Sequence, residues 1–153
     1  CVGNANVLIQ KIIKAMGITQ EDVYFTSIIK SKSVSNILLQ KGNNSSELIE
    51  KKVFIEYLKK ELSLINPSII ISFGELSYTL LMNKILEKEE FNQIRGQLFK
   101  FSEYPVVPTF NPSYLLLKDS LETKRYFWED LLIVMNELKL EITEKQKKYF
   151  KKQ

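Results

Sequence analysis

The chain has 153 residues, about one domain's worth, of which 44% are hydrophobic and 26% charged; that composition excludes a disordered or collagen-like polypeptide. One cysteine and no histidine exclude a disulfide framework, a multi-cysteine metal site within this chain, a Ser-His-Asp triad and any His-ligated metal. The net charge of +4 sits in one place, since residues 139–153 hold six Lys and two Glu while residues 1–138 balance at sixteen of each sign.

Nor do the five glycines, at positions 3, 17, 42, 74 and 96, fall close enough to form a dinucleotide or phosphate-binding loop. No apolar run approaches the ~20 residues of a membrane helix. Cys1-Val2-Gly3-Asn4 lacks the basic start of a secretory signal. The reading is a cytoplasmic monomer with no membrane partner, and the missing initiator Met suggests a fragment.

Leu8, Ile12 and Ala15, with Ile9, Ile13 and Met16, predict a first helix ending at Gly17. Val23 to Ile29, rich in β-branched and aromatic residues, reads as a buried strand. Residues 31–46 are polar and irregular. Asn44 and Glu47 then resemble a capping box, opening a helix that faces Ile49, Val53 and Tyr57, with Phe54, Leu58, Leu62 and Ile65, inward until Asn66-Pro67. Ser68 to Phe73 is an apolar strand of the kind buried in parallel sheets. Gly74 turns into a helix through Leu76, Leu80, Leu81 and Ile85.

Further on, Gln97–Phe101 and Val106–Thr109 read as short strands around a turn near Tyr104-Pro105, and Asn111-Pro112-Ser113 as a second turn. Asp119 with Glu122 predicts the start of a last helix whose stripe is Phe127, Leu131, Val134 and Leu138. The basic segment 139–153 reads first as a solvated, frayed end and second as a basic arm attracted to phosphates. Alternation of strands and helices predicts a three-layer α/β/α sandwich with a mostly parallel central sheet. Sites in such folds lie beyond the carboxyl ends of the strands, here Ser27–Lys32, Phe73-Gly74-Glu75 and Phe110–Ser113.

Tyr104 to Leu116, containing Val106-Val107-Pro108-Thr109-Phe110-Asn111-Pro112-Ser113-Tyr114, resembles the second signature of the uracil-DNA glycosylase superfamily, in its iron–sulfur bacterial and archaeal branch. Val2-Gly3-Asn4-Ala5, Asp22 to Lys30, Ile65 to Gly74, Ile94-Arg95-Gly96-Gln97 and Trp128-Glu129-Asp130-Leu131 are similar to other motifs of that family, in the same order. The resemblance covers residues 1 to about 138, set as one domain, with 139–153 as a tail. It implies a DNA partner and hydrolysis of the N-glycosidic bond of a flipped base in base-excision repair.

By that resemblance Asn111 stands where the relatives carry a catalytic histidine, as the donor to the departing base. Cys1, Ser27, Phe73 and Gly74 fall in the base pocket, Cys1 replacing a stacking phenylalanine and Ser27 a base-pairing asparagine. Lys30, Arg95, Pro112, Ser113, Tyr114, Leu115 and Lys118 become DNA contacts, with Leu115–Leu117 as apolar wedges or, alternatively, core residues. The family's water-positioning loop falls upstream of Cys1. Ser31 stands at one cluster-cysteine position and Phe54 near another, so no metal and no cofactor is expected. Three functions remain in play. The first is a glycosylase with weakened or altered base choice, the second a non-catalytic nucleic-acid or protein binding module, and the third a small-molecule hydrolase using Glu75 as base.

Overall fold

A computed structural model describes residues 3–27, 45–84, 86 and 89–152 of the chain (for 45–50, the backbone alone). Helix α1 (Asn4–Met16) ends as its sequence predicts: Gly17 sits at φ +78° and its N–H reaches Ile13 O and Lys14 O. A short 3-10 turn, Gln20–Asp22, leads to an extended stretch and then, further along the chain, to α2 (Ser45–Ile65), which Asn66 terminates at φ +49° just before Pro67. Strand β1 (Ile70–Phe73) and helix α3 (Glu75–Met82) follow, with α4 (Glu90–Ile94) beyond.

The hairpin β2 (Phe99–Phe101) and β3 (Tyr104–Thr109) turns at Ser102, whose φ is +55°. So tight a connection forces the two strands antiparallel. The described sheet has the order β1-β3-β2, with β1 parallel to β3 (Ile71 opposite Val107, Phe73 opposite Thr109). Among the described residues it is therefore small and mixed, with β1 and β3 supplying the parallel pairing expected. Helices α5 (Pro112–Lys118), α6 (Leu121–Glu137) and α7 (Glu144–Lys148) complete the chain.

Period-two alternation along β3 sends Val106 and Val107 to opposite faces. Val107 joins Met16, Leu115, Phe127, Trp128, Leu131, Val134 and Met135 against α1, α5 and α6. Val106 joins Phe54, Leu58, Leu62, Leu80 and Leu81 against α2 and α3. Helices thus cover both faces of the sheet, and the architecture is the expected α/β sandwich.

Four local readings are corrected. Residues 23–27 form no strand, Tyr24 and Phe25 are half exposed, and Ile28 and Ile29 lie outside the described residues. Tyr24 Oη and Thr26 Oγ1 instead donate to the Glu61 carboxylate on α2, at 2.7 and 3.1 Å. On α2, Val53 and Tyr57 face solvent, because Phe54, Leu58 and Leu62 take the inward stripe. The predicted turn shifts to Ser102, and Tyr104 begins β3. Asp119 does not open α6; it closes α5 at φ +40°, and Ser120 caps α6 by accepting from Thr123 N–H at 3.1 Å. Asn44 and Ile85 are outside the described residues.

The basic segment is no frayed end. Leu140, Ile142 and Tyr149 pack against the α1–α6 core. Thr143 and Gln146 form a reciprocal capping box. Gln146 Nε2 donates to Ala15 O, and Trp128 Nε1 donates to Gln146 O, at 2.9 and 2.7 Å.

Candidate functional site

A crevice of about 730 Å³ opens at the carboxyl ends of β1 and β3, between α1, α2 and residues 25–27. All three loops picked from the sequence reach it: Ser27, Phe73-Gly74-Glu75 and Asn111 line its wall. Cys1 and Lys30 fall outside the described residues.

Gly74 makes the close approach possible. Its N–H bonds Thr109 O at 2.8 Å, continuing the β1–β3 ladder by one step, while φ +85° turns the chain into α3. That backbone conformation strains any residue with a Cβ. A Cβ here would lie 3.5 Å from Asn111 Cβ and 3.8 Å from its Nδ2. The Asn111 amide nitrogen therefore sits beside the Gly74 turn, at the crevice.

Asn111 is the N-cap of α5, and its Oδ1 accepts from Ser113 N–H at 2.9 Å. Only the carbonyl end of the amide can accept that bond, so the cap fixes which end points away. The NH2 end is left as a donor. Turn-forming character, read from the Asn-Pro pair, and a place on the crevice wall coincide in this one side chain.

Phe73 borders the crevice and stacks on Phe127, ring centroids 6.4 Å apart. Glu75, the first residue of α3, is the carboxylate among the described lining residues. Among the wall residues that escaped the sequence reading are Asn6 and Phe25. The signal for Phe25 was present, since it sits two residues before Ser27, but its aromatic character was assigned to a strand interior. Ser72, beneath the turn, is 2% exposed, and its Oγ has no hydrogen-bond partner.

Three expected DNA contacts lie elsewhere. Leu115 is buried in the α1–α6 core and Pro112 is buried as the first residue of α5, because a seven-residue helix lying on α1 must present one side inward. Leu116, Leu117, Ser113, Tyr114 and Lys118 are on the exposed side. Arg95 is engaged within the protein through one end of its guanidinium. Its Nη1 donates to Asp130 Oδ1 at 2.6 Å and to Tyr126 O at 3.1 Å, and its guanidinium lies over the Phe110 and Tyr126 rings at 5.1 and 4.6 Å.

Asp130 completes that cluster by accepting from Thr109 Oγ1 at 2.7 Å. Burial pushes its carboxyl up to about 6, opposed by the Thr109 hydroxyl and the Arg95 guanidinium, which favour the ionised form. Gly96, at φ +70°, must lack a side chain, since a Cβ there would run into Asp130 Oδ1; its N–H bonds Pro108 O at 2.8 Å. The Arg-Gly and Trp-Glu-Asp motifs noted in the sequence thus meet each other behind the crevice, bracing the end of β3.

The sequence profile described as the uracil DNA glycosylase superfamily matches residues 2–132. The chain belongs to that superfamily. It is similar to the type-4 uracil-DNA glycosylases of Thermotoga maritima (28% identical over 85% of this chain and 64% of that protein) and Archaeoglobus fulgidus (24% over 78% and 59%). It is also similar to a DNA polymerase of Bacillus phage SP01, 29% identical over 86% of this chain but 13% of the polymerase. The chain thus spans roughly three-fifths of the length of those two glycosylases.

The iron–sulfur cluster implied by the type-4 resemblance does not fit the residues present. Phe54, near one cysteine position, is 7% exposed and packs among Leu58, Leu62, Leu80 and Val106, none of which carries a ligand atom. Ser31 lies outside the described residues, the sequence holds one cysteine, and no metal-ligating cluster occurs among the described residues. Among the described residues no helix is long and apolar enough to cross a membrane.

Proposed function

We propose that this domain is the base-binding core of a uracil-DNA-glycosylase-like repair protein, cleaving the N-glycosidic bond of a base flipped from DNA into the crevice. As the C1′–N bond breaks, the sugar becomes cation-like and the base leaves as an anion. A donor fixed beside the base oxygen binds that anion more strongly than the neutral base and so lowers the barrier. Asn111 Nδ2 is that donor. Water adds to C1′, and its proton passes to a carboxylate or to the expelled base.

The observation carrying this reading is the cap bond from Ser113 N–H, which holds the Asn111 oxygen and leaves the amide nitrogen beside Gly74. Base choice follows from the wall. Ser27 offers a hydroxyl where relatives hold an amide, and Phe25 supplies an aromatic face. A neutral amide is a weaker donor than an imidazole, so uracil excision is slow compared with the relatives. The partner is DNA.

A second reading, a non-catalytic module, is favoured by one finding: the phage DNA polymerase contains a matching stretch as a small part of a much longer chain. Incubation with oligonucleotides bearing uracil, hypoxanthine or xanthine separates the two. Base release by wild type supports the glycosylase. Release by Asn111→His alone supports the binding module, and Glu75→Gln tests the carboxylate of the crevice.

A further inference from the structure

We propose that the docked C-terminal segment, residues 139–152, is a second DNA-backbone binding surface that extends the face beside the crevice along the flanking duplex. This rests on the DNA-binding reading above. The superfamily match ends at residue 132, before the segment begins.

The path of the chain carries the argument. Leu140 N–H bonds Met135 O, Trp128 Nε1 bonds Gln146 O, and Arg125 Nη1 bonds Lys147 O and Tyr149 O at 3.0 and 2.8 Å. Those partners on α6 step backwards from 135 to 128 to 125. The segment therefore runs back along α6 toward its start, ending four residues from Leu121, about 6 Å of helix. Only Asp119-Ser120 separates that start from α5, which exposes Ser113 and Lys118.

Charge at this end is unbalanced. Asp119 pairs with Lys124, Glu129 with Arg125 and Glu144 with Lys147, while Glu122 accepts from Tyr126 Oη and Glu141 is exposed. Residues 139–152 set six Lys against two Glu. Among the described residues no ion pair holds Lys118, Lys148, Lys151 or Lys152, although Lys151 together with Lys147 holds the Glu144 carboxyl low, and all four lysines are exposed. Leu140, Ile142 and Tyr149 account for the docking by sealing the core. Sealing calls for no cations on the outer side, yet every positive charge of the chain's net excess is there.

The test is fluorescence anisotropy of the full chain on a short undamaged duplex between about 50 and 200 mM salt. Three proteins are compared: wild type, K148Q/K151Q/K152Q, and a control, K52Q/K60Q/K100Q, whose lysines lie on α2 and β2. Each lost phosphate contact removes roughly 0.9 from the slope of log affinity against log salt. The first variant is expected to bind at least about tenfold more weakly with a slope shallower by about 2–3, and K148R/K151R/K152R to restore both. Control behaviour stays with wild type.

Equal slopes for wild type and the C-terminal variant, or equal losses in both variants, overturn the proposal and leave an acidic protein as the surface's counterpart. Unchanged Trp128 emission confirms that the segment remains docked, since Tyr149 lies 5.2 Å from that ring. Segment-dependent duplex binding without any base release would uphold this inference while defeating the glycosylase reading. Duplex binding that ignores the segment, with base release intact, would do the reverse.

Discussion

Thr109 and Asn111 are two residues apart and live in opposite circumstances. Thr109 is fully buried; its hydroxyl donates to Asp130 and its carbonyl accepts from Gly74. Asn111 is exposed, with one half of its amide tied to Ser113 and the other half open to the crevice. One position is over-determined so that the next can be left incomplete at a known place. A site needs both, because a donor is useful to a ligand only if the protein does not use it and only if its position is held.

The comparison breaks most severely on the braced side. Asp130→Ala leaves the Arg95 cation and the Thr109 hydroxyl without their buried partner, and is expected to cost about 3–5 kcal/mol in urea unfolding. The same truncation at Asn111 removes a helix cap and is expected to cost only ~1 kcal/mol. Similar losses at the two positions would erase the distinction.

Smaller effects sharpen the open side. Phe25→Ala removes an aromatic wall of the crevice, half exposed at 49%, and is expected to weaken binding of a uracil-bearing strand by roughly 1–3 kcal/mol while leaving the unfolding midpoint in place. A shift in stability with unchanged binding would mark Phe25 as packing.

The subtlest prediction concerns pH. Asp130 is raised from 3.8 to about 6 in the folded chain, so the folded state holds the proton more tightly than the unfolded one. Its contribution to stability is present in full below about 4 and is lost as pH rises through 6. Asp22, Asp119 and Glu144 are held low by Thr19, Lys124 and Lys147, and act in the opposite sense at acid pH. The difference in unfolding free energy between wild type and Asp130→Asn isolates the first effect. It should fall from pH 4 to 6, and a flat difference would place the Asp130 carboxyl near its ordinary value.

Legibility followed periodicity and failed where tertiary partners decide. β1, β3 and the α6 stripe were readable because burial on one side imprints a repeat on the chain. Gly17 and Gly74 were readable because their turns exclude other residues. The crevice loops were readable from strand ends, and Asn111 from the second signature. Val23 to Ser27 misled because strand-like composition does not reveal that the hydroxyls of Tyr24 and Thr26 reach Glu61, 37 and 35 residues on. Arg95 misled because a charge in a polar stretch looks the same whether it meets phosphate or Asp130, 35 residues away. The C-terminal lysines looked like fray, since Gln146, which bonds to Ala15 across 131 residues, has no local signature.

The central claim, that the free amide nitrogen of Asn111 assists departure of a flipped base, is tested most directly by single-turnover release of uracil from a single-stranded oligonucleotide. Wild type and Asn111→Ala would be compared at saturating protein. Loss of the donor predicts a rate lower by about 10²–10³ in a protein that remains folded. Equal rates in the two proteins would contradict the account.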